Sequence, residues 1–266
     1  MKIVVITGST RGIGLALAQA FLERGCSVVV SGRKQADVDA VVASLAVSFE
    51  ASRVAGTACD VTQPQQLQGL WDAAVDRFER VDVWINNAGI AHGQAMLWEH
   101  DMDLFGRIAA TNLAGAMSGC SVAIRGMLAQ GGGAVYNMEG LGSDGRTVDG
   151  MIPYGATKRA LRYIDDAIIK ELAGTPVIAG SILPGMVVTD LLLAGLEGPP
   201  EKVAQAKKIF TILADRTETV TPWIADRVLA NTRNGARISW LTNAKAAWRF
   251  MSAPFSKRDP LGLKDR

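Results

Sequence analysis

Runs of β-branched apolar residues alternate along the chain with longer stretches whose apolar positions recur every three or four residues. The runs lie at 3–7, 27–31, 53–58, 81–86, 134–138, 177–183 and 237–241. Between them, segments such as 13–24, 36–49 and 65–78 carry the helical spacing. Strands that are apolar throughout predict burial on both faces, and the intervening helices supply the cover. The pattern therefore predicts an α/β fold. It is a single doubly wound (Rossmann) domain over residues 1–266, with a seven-stranded parallel sheet, right-handed crossovers and helices on both faces. No internal repeat, low-complexity tract or linker interrupts it.

The most irregular stretch runs from Gly185 to about Pro200 and contains Leu191, Leu192 and Leu193, then Gly198 and Pro199. It follows a strand directly, and ligands of doubly wound sheets bind beyond the carboxyl ends of the strands. A lid over about 185–215 is expected, with a plain connecting loop as the alternative. A short C-terminal extension, about 243–266, reads as a helix over 244–251 with Thr242 or Asn243 as its N-cap.

At 266 residues, 48% hydrophobic and 20% charged, the composition is globular. A net charge of +2 creates no long-range field for nucleic acid, which is not expected as a partner. Basic residues gather only near the end, in Arg249, Lys257, Arg258, Lys264 and Arg266, as a solvated tail. Trp248, Phe250 and Phe255 beside them would allow weak contact with a membrane surface. Packing on the protein itself or on a partner subunit is the alternative. Cys26, Cys59 and Cys120 are an odd set without Cys-x-x-Cys spacing, which fits a reducing cytosol. His92 and His100 lie in no ligand pattern, so no metal site is expected. Neither a secretory leader nor an apolar run of roughly 20 residues is present, so a cytoplasmic protein without a transmembrane helix is expected.

The first strand runs into Thr7-Gly8-Ser9-Thr10-Arg11-Gly12-Ile13-Gly14 and then a helix rich in Ala and Leu. Glycines at 8, 12 and 14 permit a tight turn, close backbone approach to phosphate and close helix–strand packing. The helix N-terminus offers free N–H groups to a pyrophosphate. The second strand ends at Ser31-Gly32-Arg33-Lys34, without the acidic residue that would hydrogen-bond the ribose of NAD. Asp37 is expected in the first turn of the next helix. Arg33, with Arg11, would instead pair with the 2′-phosphate of NADP(H), the cofactor expected here; a solvated Arg33 is the alternative.

Tyr154 and Lys158 lie four residues apart in a helical pattern and share one face. A nearby ammonium favours phenolate and lowers the tyrosine pKa from its ordinary ~10. Tyr154 would then protonate a developing alkoxide or deprotonate an alcohol. An isolated Tyr-x-x-x-Lys spacing more often marks a buried Tyr beside a snorkelling Lys, but here it accompanies the glycine turn.

The turn Gly8 to Gly14, Asn86-Asn87-Ala88-Gly89, Asn112, Tyr154-Gly155-Ala156-Thr157-Lys158 and Pro184-Gly185 stand in one order and spacing. In these motifs the chain resembles the short-chain dehydrogenase/reductase family over nearly its whole length. The stretch from Tyr136 to Ser143, with Gly235 to Thr242 near the end, is similar to the chlorophyll(ide) b reductase branch of that family. The resemblance implies an oxidoreductase, an NADPH-dependent carbonyl reductase acting on a small-molecule aldehyde or ketone, and a homo-oligomer. It implies that Lys158 holds the nicotinamide ribose and that Asn112 positions a water in a proton relay. It places Asp60, with Val61, at the adenine amino group and Asn87, Ala88 and Gly89 at the adenine ribose. Pro184, Gly185, Val187 and Thr189 fall at the nicotinamide amide. The alternatives are that Asp60 and Thr62 cap a helix and that Pro184-Gly185 is a turn.

One position departs. The family serine that hydrogen-bonds the substrate carbonyl aligns with Gly140, after Glu139. Losing such a donor lowers rates by about 10²–10³. Ser143 is the candidate substitute. Met96, Trp98, Met151, Met186, Leu191, Leu192 and Leu193 are expected to line an apolar pocket suited to a bulky substrate, with core packing or a subunit contact as the alternative. Two competing functions remain at this point: a dinucleotide-binding regulator that has lost turnover, motivated by Gly140, and an NAD-dependent alcohol dehydrogenase.

Overall fold

The computed structural model describes residues 1–193, 200–256 and 258–262. The strands are β1 (Ile3–Ile6), β2 (Ser27–Gly32), β3 (Val54–Ala58), β4 (Val83–Asn86), β5 (Gly133–Met138), β6 (Val177–Leu183) and β7 (Ala236–Ser239). All pair in parallel, in the order β3-β2-β1-β4-β5-β6-β7. The helices are α1 (Gly12–Glu23), α2 (Gln35–Ser48), α3 (Pro64–Phe78), α4 (Met102–Ala109), α5 (Gly115–Ala129) and α6 (Ile152–Glu171). They are followed by α7 (Asp190–Leu193), α8 (Pro200–Leu213), α9 (Thr217–Ala230) and α10 (Asn243–Ser252). A π-helical turn, Ala110–Ala114, joins α4 to α5. The predicted single seven-stranded Rossmann domain is what forms.

The period of two in the strands divides the core. Val4 and Ile6 of β1 point to one side, where they meet Leu17 and Phe21 of α1 and Ile224 of α9. Val5 points to the other and packs with Leu67, Leu70 and Trp71 of α3 and Met127 of α5. Each buried Val, Leu or Phe contributes about 1.5–3 kcal/mol. This two-sided burial is why every residue of β1 is apolar.

Local contacts account for three of the strand boundaries that differ from the sequence pattern. β3 starts at Val54 because Arg53 ends a 3₁₀ turn, its N–H bonding the Glu50 carbonyl at 2.9 Å while its guanidinium reaches the carbonyls of Leu22 (3.0 Å) and Cys26 (3.2 Å). Val81 is buried, but its N–H goes to the Gln130 side chain, so β4 begins at Val83. β7 ends at Ser239, after which the Trp240 indole bonds Asp215 at 2.6 Å.

The expected lid segment contains α7 and α8. Gly198 and Pro199 lie outside the described residues, as do Lys257, Lys264 and Arg266 of the basic tail. Thr242 is the N-cap of α10, its hydroxyl accepting from Lys245 N–H at 3.2 Å. Asp215 ties this extension down, accepting from Trp240, Arg249 and Arg258. The three cysteines are buried free thiols. No helix of the described residues is long and apolar enough to cross a membrane.

The sheet order reverses between β1 and β4, and the crevice of a doubly wound sheet opens there, at the carboxyl ends of the strands.

Candidate active site

The glycine turn sits at that reversal. Gly8 has φ +63°, and a Cβ on it would lie 2.8 Å from Ala88 Cα. A Cβ on Gly14 would lie 2.5 Å from both the Gly8 carbonyl oxygen and Asn87 Nδ2. Only hydrogen fits at either position. Asn87 staples the turn to the end of β4: its amide donates to the carbonyls of Thr7 (2.9 Å) and Gly8 (3.0 Å). Thr7 Oγ1 in return accepts the N–H groups of Asn87 and Ala88. Gly12 opens α1 and faces the Thr189 methyl across a shallow cleft. Arg11 is the N-cap residue and caps with no side-chain bond, and Ile13 packs on the core. The result is a cradle of bare backbone at a helix N-terminus, an arrangement suited to anionic groups.

Arg11 and Arg33 are not brought together on one group. Arg11 pairs with Asp190 at 3.7 Å, both side chains largely exposed. Arg33 and Lys34 stand exposed after β2, and among the described residues Arg33 has no hydrogen bond or ion pair. Thr10 packs its methyl on Gly32, leaving no room there for a side chain. Asp37 is in the first turn of α2, as expected. Asp60 follows β3 and closes a turn, one oxygen accepting Thr62 N–H (3.0 Å) and hydroxyl (2.8 Å). The N-cap position of the next helix is Gln63, which makes no side-chain cap bond, and the Asp60 carboxylate is spent on Thr62 rather than on the first turn of that helix. Val61 is buried against Gly115 of α5.

Tyr154 and Lys158 occupy the first two turns of α6 and share a face. Lys158 is buried, and its ammonium donates to the Met138 carbonyl at 2.8 Å, at the end of β5. It lies 5.7 Å from the Tyr154 ring centroid. The Tyr154 hydroxyl makes no hydrogen bond among the described residues. Burial pushes its pKa up to about 12, contrary to the expected lowering by Lys158. The reason is geometric: the ammonium is turned to a carbonyl, leaving desolvation of the phenolate as the dominant effect. Burial pushes Lys158 down to about 8, opposed by the charges of Asp165 and Glu139.

Asn112 lies in the π-helical turn, a distortion often found at functional sites. Its side chain holds Ile90 by both peptide groups, at 2.8 and 2.9 Å, and approaches the Thr157 hydroxyl at 3.4 Å. A Cβ on Gly89 would meet Asn112 Oδ1 at 3.4 Å, so the Asn87-Ala88-Gly89 run threads between turn and helix.

At Gly140, an added Cβ would lie 2.5 Å from the Tyr154 hydroxyl. The phenol thus lies over the backbone where the family serine would project. Ser143 is 1% exposed and gives its hydroxyl to the Glu139 carboxylate. Glu139 also bonds Arg237 (2.7 Å) and Arg162 (3.2 Å). Burial alone would raise its pKa, but bonds from Arg237, Ser181 and Ser143 hold it below the ordinary carboxylate range.

On the far side, Pro184 is buried and Gly185 (φ +75°) packs against Leu241. Val187 bridges to Asp215, and the Thr189 hydroxyl turns back to the Val187 carbonyl at 3.3 Å. Of the expected pocket residues, Trp98, Leu191 and Leu193 are exposed, while Met96, Met151 and Met186 are half-buried. Leu192 is half-buried too, and none of these residues belongs to the buried core.

Two residues lay beyond sequence reasoning. Asp165 is buried beneath Lys158, with Asn137 donating to one oxygen at 2.5 Å and the other oxygen unpartnered. Burial pushes its pKa up to about 7. Its signal was the seven-residue spacing from Lys158, two turns along one helix face. His92 accepts the Tyr154 backbone N–H at 3.3 Å across 62 residues, and no spacing announces that.

The chain is 36% identical over 258 residues to a chlorophyll(ide) b reductase NOL of Oryza sativa, covering 94% of this chain and 74% of that one. A 3-ketoacyl-(acyl-carrier-protein) reductase from Brucella melitensis, solved with NADH, superposes with a TM-score of 0.78 at 22% identity. It covers 90% of this chain and 96% of its own. A gluconate 5-dehydrogenase from Burkholderia cenocepacia, solved with NADP and tartrate, gives 0.77 at 23% identity, covering 91% and 95%. The short chain dehydrogenase family model matches residues 2–196, and the chain belongs to that family of nicotinamide-dependent oxidoreductases.

Proposed function

We propose that this protein is an NADPH-dependent reductase that converts an aldehyde or ketone on a bulky apolar molecule into an alcohol. The carrying observation is the Tyr154 hydroxyl, unbonded and held protonated by burial, one turn from the buried Lys158 ammonium. A neutral phenol is the form that reduction requires.

The cofactor fits the residues present. Gly8 and Gly14 form a cradle that a Cβ would fill, beside the N-terminus of α1. Gly12, Ile13, Thr10 and Arg11 would surround the pyrophosphate. Asp60, Val61, Asn87, Ala88 and Gly89 would line the adenosine side, and Pro184, Gly185, Val187 and Thr189 the nicotinamide side. The unpaired Arg33 supports NADP(H) over NAD(H) through its 2′-phosphate. When bound, the cofactor supplies the hydride. Tyr154 gives its hydroxyl proton to the carbonyl oxygen as that oxygen becomes an alkoxide. Lys158 stabilises the phenolate left behind, which requires the ammonium to be charged, as it is below about pH 8. Asn112 fixes the Ile90 backbone and serves the relay that returns a proton to Tyr154.

The relative from rice makes a chlorophyll(ide) b aldehyde the first substrate to try. Exposed Trp98, Leu191 and Leu193 support a large apolar substrate under a lid over about 185–215. Assembly as a homo-oligomer is supported by exposed Met117 and Tyr163, and weak membrane-surface contact by exposed Trp248 and Phe255. Three free thiols agree with the reducing cytoplasm.

A second reading, a dinucleotide-binding regulator without turnover, is favoured by Gly140 and by the engagement of Ser143 with Glu139. One experiment separates them. NADPH oxidation is followed with a carbonyl panel that includes chlorophyllide b, beside Tyr154→Phe. Turnover that falls by about 10³ or more in the variant, with NADPH binding unchanged, establishes the reductase. NADPH binding without turnover of any carbonyl gives the regulator.

A further inference from the structure

His92 has no role in the chemistry above, yet it is 8% exposed and both ring nitrogens are engaged. Nδ1 lies 2.7 Å from the Gly93 carbonyl, and Nε2 accepts the Tyr154 backbone N–H at 3.3 Å. A single protonation state satisfies both contacts: Nδ1 carries the proton and Nε2 keeps its lone pair.

The start of α6 calls for such an acceptor. The first N–H groups of a helix have no partner within it, and Ser, Thr, Asp or Asn at the N-cap ordinarily meets one. Here the N-cap is Met151, which makes no side-chain cap bond, and Pro153 has no N–H. Gly155 N–H bonds the Met151 carbonyl at 2.9 Å. The Tyr154 N–H is left for His92. On the other side, the Tyr154 carbonyl accepts the Thr157 hydroxyl at 2.7 Å. Thr157 is approached by Asn112, which clasps Ile90. Both peptide groups of Tyr154 are therefore braced against residues 90–92, just beyond β4.

We propose that neutral His92 is a positioning residue for Tyr154, replacing the missing N-cap of α6 and fixing where the phenol stands. Burial lowers the imidazole pKa, the Gly93 carbonyl opposes this, and His100, edge-on at 4.6 Å, adds to it. The acceptor is thus present at neutral pH and is lost as pH falls through a value below about 6.5. Ionisable groups on the elements that meet His92 are Glu99, His100 and Asp101 in the segment before α4, Asp103 and Arg107 on α4, and Tyr154, Lys158 and Arg159 on the first turns of α6. Glu99 accepts Met96 N–H and Asp101 accepts Asp103 N–H. Among the described residues no side chain of this set hydrogen-bonds or ion-pairs with the imidazole.

The structural arm of the test does not depend on the reductase reading. The chain has three tyrosines, so ¹⁵N-tyrosine labelling gives Tyr154 with Tyr136 and Tyr163 as internal controls. His92→Phe keeps the ring and removes the acceptor, while His92→Gln restores an acceptor. Exchange of the Tyr154 amide is expected to rise about tenfold in H92F relative to the other two, and to stay near wild type in H92Q. In the wild type, the Tyr154 amide resonance should titrate below about pH 6.5, a transition absent from H92Q. This titration needs no variant to fold. The kinetic arm rests on the proposed reduction: kcat falls about tenfold in H92F with KM for NADPH unchanged, and Gln recovers it. An unchanged Tyr154 amide in H92F, or Gln no better than Phe, overturns the role of His92. Absence of turnover with every carbonyl overturns the reductase and leaves the amide measurements to decide on His92.

Discussion

In the half of the sheet formed by β1, β2 and β3, the site is made of backbone. Gly8, Gly12 and Gly14 present bare main chain beside a helix N-terminus, and the neighbouring Thr7 and Ser9 side chains spend their hydroxyls on backbone groups. In the half formed by β4, β5 and β6, the site is made of buried polar side chains linked in series. Trp84 donates to Asn86, Asn86 to Asn137, and Asn137 to Asp165, beneath Lys158. Binding a phosphate needs many weak donors from a fixed backbone, which glycine supplies by leaving space. Moving a proton needs one or two groups at set pKa values, and these require burial and neighbouring charge. The first half therefore fails through added bulk, the second through a changed charge.

The largest effect should come from bulk. In Gly14→Ala the new methyl meets backbone at 2.5 Å, so the turn itself must shift. NADPH affinity should fall by about 100-fold or more, with stability down by about 1–3 kcal/mol in urea denaturation. A variant that binds NADPH normally would show that the cradle is not where the pyrophosphate lies. Arg33→Asp comes next, adding charge to the backbone half without bulk. It should weaken NADPH binding by about 10–100-fold and leave NADH unchanged or improved, read as the ratio of the two Kd values. Equal loss for both cofactors would place Arg33 outside the 2′-phosphate site.

Asp165→Asn tests the other half, since asparagine keeps the acceptor for Asn137 and removes only charge. Asp165, anionic above about pH 7, raises the Lys158 pKa, which burial has lowered to about 8. Activity needs the ammonium and is lost as pH rises through that value. Without Asp165 the alkaline limb should move to lower pH by on the order of one unit, with little change near pH 6. An unmoved limb would mean that Asp165 acts only in packing.

The backbone half was readable because its chemistry is local. The Gly8, Gly12 and Gly14 spacing falls within one turn, and the absence of an acid after β2 is visible at Arg33 and Lys34. The pattern also singles out Tyr154 and Lys158, which share a face of α6, and Asn112, which lies in the π-helical turn. The direction of the Tyr154 pKa was not readable, because it depends on where the Lys158 ammonium points. Gly140 was recognised as a departure, whereas the bond between Ser143 and Glu139 depends on a loop path that no periodicity records.

Period, spacing and residue type within a short window were enough for the doubly wound sheet, the glycine turn and the helix that carries Tyr154. Tertiary structure alone decided that His92 receives the Tyr154 N–H, that Asp165 lies unpartnered under Lys158, and that Asp215 binds the C-terminal extension. These are contacts between different elements, or buried states whose energy is set by solvent exclusion. Neither quantity exists until the chain has closed on itself.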